Sequence, residues 1–347
     1  MTHYNLALLG FGNVGRALAR LLARKEADIR SQYGITFRIT GIYTGRHGGA
    51  LDSRGMDAER AVVLVESGGR LDELSQAPVP PNAFEFIRSC GADVLFENTP
   101  VNYETGQPAV DHLRLALEQG MHALTANKGP VVHAYRELSD LAQARGRKFF
   151  FESTVMDGCP IFSLFRGALP AARLLSFRGI LNSTTNLILT RMEAGESFED
   201  AVAYAQKIGL AETDPSGDVD GWDAAVKVAA LVTVLMGVPL KPSQVDRQGI
   251  RGLSAEEVRQ AREAGKRWKL VCTARLLDQG AQAAVEARVA PELVDRDSPM
   301  FAVENSTSIA EFETDVLGKL SIIEEDPGPD TTAYGLLADF LNAARSS

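Results

Sequence analysis

Leu6-Ala7-Leu8-Leu9-Gly10-Phe11-Gly12-Asn13-Val14-Gly15-Arg16-Ala17-Leu18 reads as an apolar strand, a glycine turn and the first turn of a helix. The unbroken apolar run of Leu6 to Leu9 suits a strand covered on both faces in a parallel sheet. Ala17, Leu18, Leu21 and Leu22 then recur at helical spacing. At such a junction Gly10 permits the tight turn, Gly12 lets the backbone approach a pyrophosphate, and Gly15 lets the helix pack close to the strand. Asn13 and Val14 complete a loop whose helix N-terminus faces the anion. A lone glycine pattern of this kind is weak evidence. Its position behind an N-terminal strand, with α/β alternation following, selects dinucleotide binding over a plain glycine turn.

The 347 residues exceed one typical domain and predict two, each large enough for its own core. Hydrophobic and charged fractions are those of a soluble globular chain, and a net charge of −9 argues against nucleic acid or an anionic membrane as partner. Cys90, Cys159 and Cys272 lie far apart with no C-x-x-C pair, and the N-terminus has no basic region leading into an apolar segment. A reducing cytoplasm is the expected location. The longest apolar stretch, residues 228–240, is interrupted by Thr233, Gly237 and Pro239 and is shorter than the ~20 residues a membrane span needs, so it reads as a buried helix.

Residues 36–43 predict a second strand, followed by a loop at Arg46-His47-Gly48-Gly49. An acidic residue at that strand's end would hold the ribose 2′-hydroxyl of NAD. Thr44, Gly45 and Arg46 offer a cation for a 2′-phosphate instead, which favours NADP(H) with NAD(H) as the alternative. Residues 93–97 form another expected strand, ending at Asn98-Thr99-Pro100, where proline stops the ladder. Thr99, with Pro100 beside it, is a candidate nicotinamide or ribose contact, because strand carboxyl ends line the crevice of an open α/β sheet. A strand at 121–125 leads through Ala126-Asn127-Lys128-Gly129-Pro130 into a helix over 131–145, which sets Lys128 on the same rim. The expected architecture is α/β: a Rossmann-type doubly wound parallel sheet over residues 1–151, closed by a strand at 148–151.

From residue 152 the alternation stops. Strands are expected at 174–181, 267–275, 283–289, 308–313 and 319–323, and helices at 185–193, 198–208 and 219–235, which predicts an α+β substrate domain over 152–325. A last helix at 332–344, within a segment 326–347, is expected to pack back on the first domain. In the helix at 219–235, Asp223 and Lys227 fall on one face a turn apart, where a carboxylate can orient an ammonium. Alone the pair reads as a surface ion pair worth a few tenths of a kcal/mol. Glu212, Asp214, Asp218 and Asp220 crowd the preceding loop, where either solvent or a cationic ligand relieves the repulsion. An amino-acid ammonium would do so, and a shielded Lys227 can protonate a developing alkoxide. The implied chemistry is carbonyl reduction by hydride.

Taken together, these residues resemble the homoserine dehydrogenase family. The resemblance rests on Gly10 to Gly15, Thr125 to Pro130, Gly179-Ile180-Leu181-Asn182-Ser183-Thr184-Thr185-Asn186, Ala211 to Pro215, and Asp218 to Gly221 with Lys227. It implies Glu212 as ligand of the substrate ammonium, Asp218 and Thr184 as substrate-site neighbours, Asp223 orienting Lys227, and Lys227 donating a proton to the aldehyde oxygen of aspartate 4-semialdehyde. It places Lys128 beside substrate and nicotinamide, and Gly328 in a loop near the cofactor. It further implies a monovalent cation, Na+ or K+, on Glu152 and the backbone carbonyls of Val155, Asp157 and Cys159, and a homodimer formed through the substrate domain. Ser183, Asp157 and the Asp326 to Asp330 loop depart from the family's usual glycine-rich pattern. On Ser183 and Asp157 rests one alternative, a dehydrogenase of a related amino-acid alcohol. Another is an NADP-sensing protein without catalysis, which would have no chemical need for Lys128, Lys227, Glu212 and Asp218 together. A family form without a C-terminal regulatory domain is expected, and hence no threonine inhibition through one.

Overall fold

The computed structural model describes residues 1–277 and 284–345. It divides into two compact units, Met1–Pro160 with the segment from Gly328 onward, and Ile161–Pro327.

In the first unit the elements run β1 (Thr2–Leu9), α1 (Asn13–Tyr33), β2 (Ile35–Thr44), β3 (Gly48–Leu51), α2 (Ala58–Glu66), α3 (Ala83–Ser89), β4 (Val94–Glu97), α4 (Ala109–Glu118), β5 (His122–Thr125), α5 (Lys128–Ala144) and β6 (Phe149–Phe150). The sheet order is β3-β2-β1-β4-β5-β6, parallel throughout except for β3, which pairs antiparallel with β2. The chain passes from β1 to β2 on one side and then to β4 on the other. The topological switch point therefore lies between the carboxyl ends of β1 and β4, where α/β sheets bind ligands. Leu6, Leu8, Leu18, Leu22, Ile42 and Phe96 are fully buried, together with Leu336 and Phe340 of the C-terminal helix Pro329–Arg345.

Two expectations are corrected in this unit. Residues 48 and 49, expected in a loop, begin β3, because the Thr44 hydroxyl accepts from the Arg46 and His47 N–H groups (3.1 and 2.8 Å) and closes a tight turn. Residues 152–160, expected in the second domain, belong with the first unit. The Glu152 N–H donates to Asp339 Oδ2 (2.7 Å) and the Ser153 hydroxyl to the Thr332 carbonyl (2.7 Å), tying the segment to the C-terminal helix.

The second unit contains β7 (Leu174–Ile180), α6 (Ser183–Glu193), α7 (Phe198–Lys207), α8 (Ser216–Val219), α9 (Trp222–Leu231), β8 (Asp246–Arg247), α10 (Ala255–Glu263), β9 (Arg267–Leu276), β10 (Val285–Val294), β11 (Ser308–Thr314) and β12 (Gly318–Glu324). Its sheet order is β12-β11-β7-β9-β10-β8, antiparallel apart from the short β8–β10 pair. The expected start of a strand at residue 283 lies outside the described residues. The continuous helix expected over 219–235 is broken. Gly221 sits at φ +80°, in the left-handed region, so α8 stops before it and α9 starts after it; a wider turn at Val232–Met236 then ends at Gly237. Asp223 and Lys227 both stay on α9. Among the described residues no helix is long and apolar enough to cross a membrane.

Candidate active site

Candidate residues occur in each of the two units. In the first, the glycine turn is built as its spacing requires. Gly10 has φ +92°, and a Cβ there would come within 2.3 Å of the Asn98 carbonyl oxygen; a Cβ on Gly15 would come within 2.4 Å of the Gly10 carbonyl oxygen. Gly12 differs, since a Cβ would meet nothing within 4 Å. It is the N-cap that precedes α1, and no side chain caps that helix. A 21-residue helix thus presents its first N–H groups, around Asn13 and Val14, to open space, which fits a pyrophosphate.

At the carboxyl end of β4 a polar network holds the neighbouring rim. Glu97 is fully buried; its carboxylate accepts from the Thr99 N–H (3.0 Å), the Thr99 hydroxyl and the Thr125 hydroxyl (2.9 Å). Asn127 caps α5 by accepting from the Gly129 N–H (3.0 Å) and donates from Nδ2 to the carbonyls of Thr99 (3.1 Å) and Pro100 (3.4 Å). Thr99, Pro100 and Lys128 are thereby brought to one place. Lys128 is the first residue of α5, where the helix dipole opposes a cation by about 0.3–1 kcal/mol, so helix stability does not explain it. The network residues Glu97, Thr125 and Asn127 carry no role in the sequence reading. The available signal is a lone carboxylate at the end of an otherwise apolar strand.

On the β2 side the Thr44 hydroxyl is engaged by the turn and Arg46 is exposed; residues 44–49 include no Asp or Glu, but the Asp72 carboxylate reaches this turn and accepts from the Gly49 N–H (3.2 Å). The side chain of Arg70, on the segment that packs beside this turn, is committed to Asp72 at 2.7 Å.

In the second unit Asp218, Asp223 and Lys227 are brought together around Leu181 and Asn182, and Glu212 is not among them. Lys227 Nζ donates to the Leu181 carbonyl (2.6 Å) and lies 3.1 Å from Asp223 Oδ2, with both side chains mostly buried. An ammonium has three donors, so one N–H is left for an incoming oxygen. Asn182 Nδ2 donates to Asp218 Oδ1 (2.7 Å) and to Asp223 Oδ2 (3.0 Å). Burial pushes the Asp218 carboxyl above the usual carboxylate range, and the neighbouring Asp223 adds to this; hydrogen bonds from Asn182 and Thr184 and the charge of Lys227 oppose it. Thr184 is buried at the start of α6. Glu212 is exposed, on the loop between α7 and α8, where its carbonyl accepts from Gln206 (3.1 Å).

Glu152 is buried at 2% exposure, in a short turn following β6. The Asp157 carboxylate accepts from the Thr331 hydroxyl (3.1 Å), which ties it to the same turn as Gly328, whose N–H donates to Thr331 Oγ1 (2.8 Å). Val155 is buried and Cys159 half-buried. Among the described residues no three His, Cys, Asp or Glu side chains are grouped to hold a metal ion. Cys90, Cys159 and Cys272 form no disulfide, and burial pushes the thiols of Cys90 and Cys272 up to about 11 and about 12, which removes them as nucleophiles near neutral pH.

A family model described as homoserine dehydrogenase matches residues 160–341, and one described as homoserine dehydrogenase, NAD binding domain, matches residues 10–152. The chain is 36% identical over 347 residues to an NAD(+)-dependent homoserine dehydrogenase of Pseudomonas canavaninivorans, covering 100% of this chain and 98% of the relative. It is 33% identical to a homoserine dehydrogenase of Methanocaldococcus jannaschii, over 99% of each. Among solved structures, a hyperthermophilic archaeal homoserine dehydrogenase in complex with NADPH superposes with a TM-score of 0.83 at 29% identity, over 100% of this chain and 99% of that one. A putative homoserine dehydrogenase from Archaeoglobus fulgidus gives 0.84 at 29% identity, over 99% of both.

Proposed function

The chain belongs to the homoserine dehydrogenase family, and from that premise we propose that Lys227 is the proton donor and acceptor at the C4 oxygen as aspartate 4-semialdehyde and homoserine are interconverted. The observation that carries this reading is the fixed ammonium of Lys227, held by Asp223 and the Leu181 carbonyl with one N–H to spare. In the reducing direction that N–H points its proton at the developing alkoxide, and in the oxidising direction the amine left behind takes it back. Asp218, Thr184 and Glu212 bind the amino-acid end of the substrate, with the two carboxylates opposite its ammonium. Lys128 supplies a second cation beside substrate and cofactor. A bound nicotinamide supplies or accepts the hydride.

For the cofactor, the open N-terminus of α1 with Gly10, Gly12, Asn13, Val14 and Gly15 suits the pyrophosphate; Thr99, Pro100 and Gly328 complete the proposed contacts. NADP(H) is the proposed preference, on the exposed Arg46 and a β2 end, Thr44-Gly45-Arg46, that has no acidic residue of its own. The relatives include one named for NAD(+) and one bound to NADPH, so both coenzymes are tested side by side. We further propose a cytoplasmic homodimer formed by the substrate domain. A monovalent cation on Glu152 and the carbonyls of Val155, Asp157 and Cys159 belongs to the same reading. The buried Glu152 carboxylate supports it, and the Asp157 side chain, engaged by Thr331, leaves the carbonyl as that residue's ligand.

The deciding experiment follows oxidation of NADPH and NADH by the purified protein with aspartate 4-semialdehyde, with coenzyme binding read by fluorescence. Turnover at low KM is expected. Tight binding with no turnover would overturn the reading in favour of a sensor, and turnover only with a different amino-acid aldehyde would overturn the substrate. Replacing Na+ and K+ by tetramethylammonium tests the cation.

A further inference from the structure

We propose that Asn182 is a positioning residue for this reaction, holding Asp218 and Asp223 with the two donors of a single amide so that one faces the substrate ammonium while the other orients Lys227. The proposal rests on the roles of Lys227 and Asp218 given above. Asn182 is 3% exposed and is the N-cap of α6, where its Oδ1 accepts from the Thr185 N–H at 2.8 Å. That cap fixes which way the amide points. With Oδ1 committed to the helix, Nδ2 faces the carboxylates, at 2.7 Å from Asp218 and 3.0 Å from Asp223; the flipped amide would set an oxygen against two carboxylate oxygens. Capping alone does not require asparagine, since Ser and Asp cap about as well. Only asparagine combines the capping acceptor with two donors on one nitrogen. The Leu181 carbonyl that receives Lys227 is the next group along the backbone, so one short segment, Leu181-Asn182, touches all three charged residues.

The amide favours the charged form of both carboxylates. Without it, two like charges lose the donor between them. Asp218, already inclined by burial to hold a proton, then takes one at higher pH. A protonated Asp218 no longer attracts an ammonium, so the defect appears as a rise in KM on the acid side, with kcat falling as Asp223 loses its registration on Lys227.

Asn182→Ser keeps the cap and removes the paired donors; Asn182→Asp keeps the cap and adds a third carboxylate. Both are compared with the native protein for Tm and for kcat and KM as functions of pH, with Lys227→Ala run in parallel. Asn182→Ser is expected to keep its Tm within a few degrees, to lose roughly tenfold in kcat/KM near neutral pH, and to move the acid limb of kcat/KM up by about one unit. Asn182→Asp is expected to move it further. In an Asp218→Asn background, Asn182→Ser is expected to move the limb no further. An unmoved acid limb in both single variants, with losses that track Tm, would overturn the proposal and leave Asn182 as a helix cap. If Lys227→Ala keeps its kcat, the proton-donor assignment fails, while the limb shift still reports the amide's hold on the carboxylates.

Discussion

Replacing Lys227 by alanine separates chemistry from folding, and the structure gives the size of each effect. A positioned general acid contributes typically 10²–10⁴ in rate, so kcat is expected to fall by that factor, which is about 3–5 kcal/mol of barrier at 1.36 kcal/mol per tenfold. Stability suffers less. Asp223, at 8% exposure, loses its cation, and breaking a buried pair typically costs about 3–5 kcal/mol. Asn182 still donates to the same oxygen at 3.0 Å, which brings the expected loss to about 1–3 kcal/mol. Coenzyme affinity, which depends on the first unit's glycine turn, is expected to stay within twofold. The assay is steady-state reduction of aspartate 4-semialdehyde at saturating NADPH, below the variant's melting temperature, with NADPH binding by fluorescence. Lys227→Arg sharpens the test: arginine keeps the positive charge beside Asp223 but holds its proton at any working pH, so Tm recovers while kcat stays low. A kcat for Lys227→Ala within threefold of native, or activity restored by Lys227→Arg, would refute the proton-donor role.

Arg46→Ala is expected to weaken NADPH about tenfold or more and NADH less than twofold in fluorescence titrations; equal losses would place the 2′-phosphate elsewhere. Gly12→Ala and Gly15→Ala should part company. The first adds a methyl into open space and should leave Tm unchanged while weakening both coenzymes, whereas the second must push aside the Gly10 carbonyl and should also cost about 1–3 kcal/mol of stability. Unchanged coenzyme binding in Gly12→Ala would remove the pyrophosphate from that helix end. Asp218→Asn tests the price of a buried charge. The native carboxyl titrates above its unfolded range, so the native state holds its proton longer than the unfolded chain, and stability falls as pH rises through that raised value. The variant escapes that fall and should be more stable than native at neutral pH, with the advantage vanishing below the ordinary carboxylate range, while KM for the amino aldehyde rises; denaturation at acid and neutral pH would show a pH-independent difference if the carboxyl were not responsible.

How much of this was legible in the sequence follows from the range of the forces involved. The glycine turn, the buried strands and the Asp223–Lys227 face are local, set by steric limits at Gly10 and Gly15 and by a period of 2 or 3.6 residues, and all are present at the expected places. The β3 hairpin was missed because a side chain, the Thr44 hydroxyl, closes its turn. The helix break at Gly221 has a local cause, but an isolated glycine in a helical pattern is as often tolerated as not. The assignment of residues 152–160 rests on the bond from Glu152 to Asp339, 187 positions away, which no local pattern reports. Asn182 was visible as a cap residue. Its second task depends on two carboxylates brought to it from 36 and 41 residues along the chain.

The crowded acidic loop shows how the fold turns repulsion into selectivity. Asp220 takes Arg251 as its partner, and Asp214 accepts from the Ser216 N–H at 3.0 Å at the start of α8, where a helix N-terminus welcomes a negative charge. Glu212 is left in solvent. Three of the four carboxylates are therefore compensated by means that need no ligand. Asp218 alone is both withdrawn from water and set beside another carboxylate, with only neutral donors and the already committed Lys227 to offset it. Such a group costs stability in the empty protein and recovers it when a cation arrives, which is the thermodynamic form of a site complementary to an ammonium. A surface carboxylate in the same place would bind the same substrate more weakly and would give Asn182 nothing to hold.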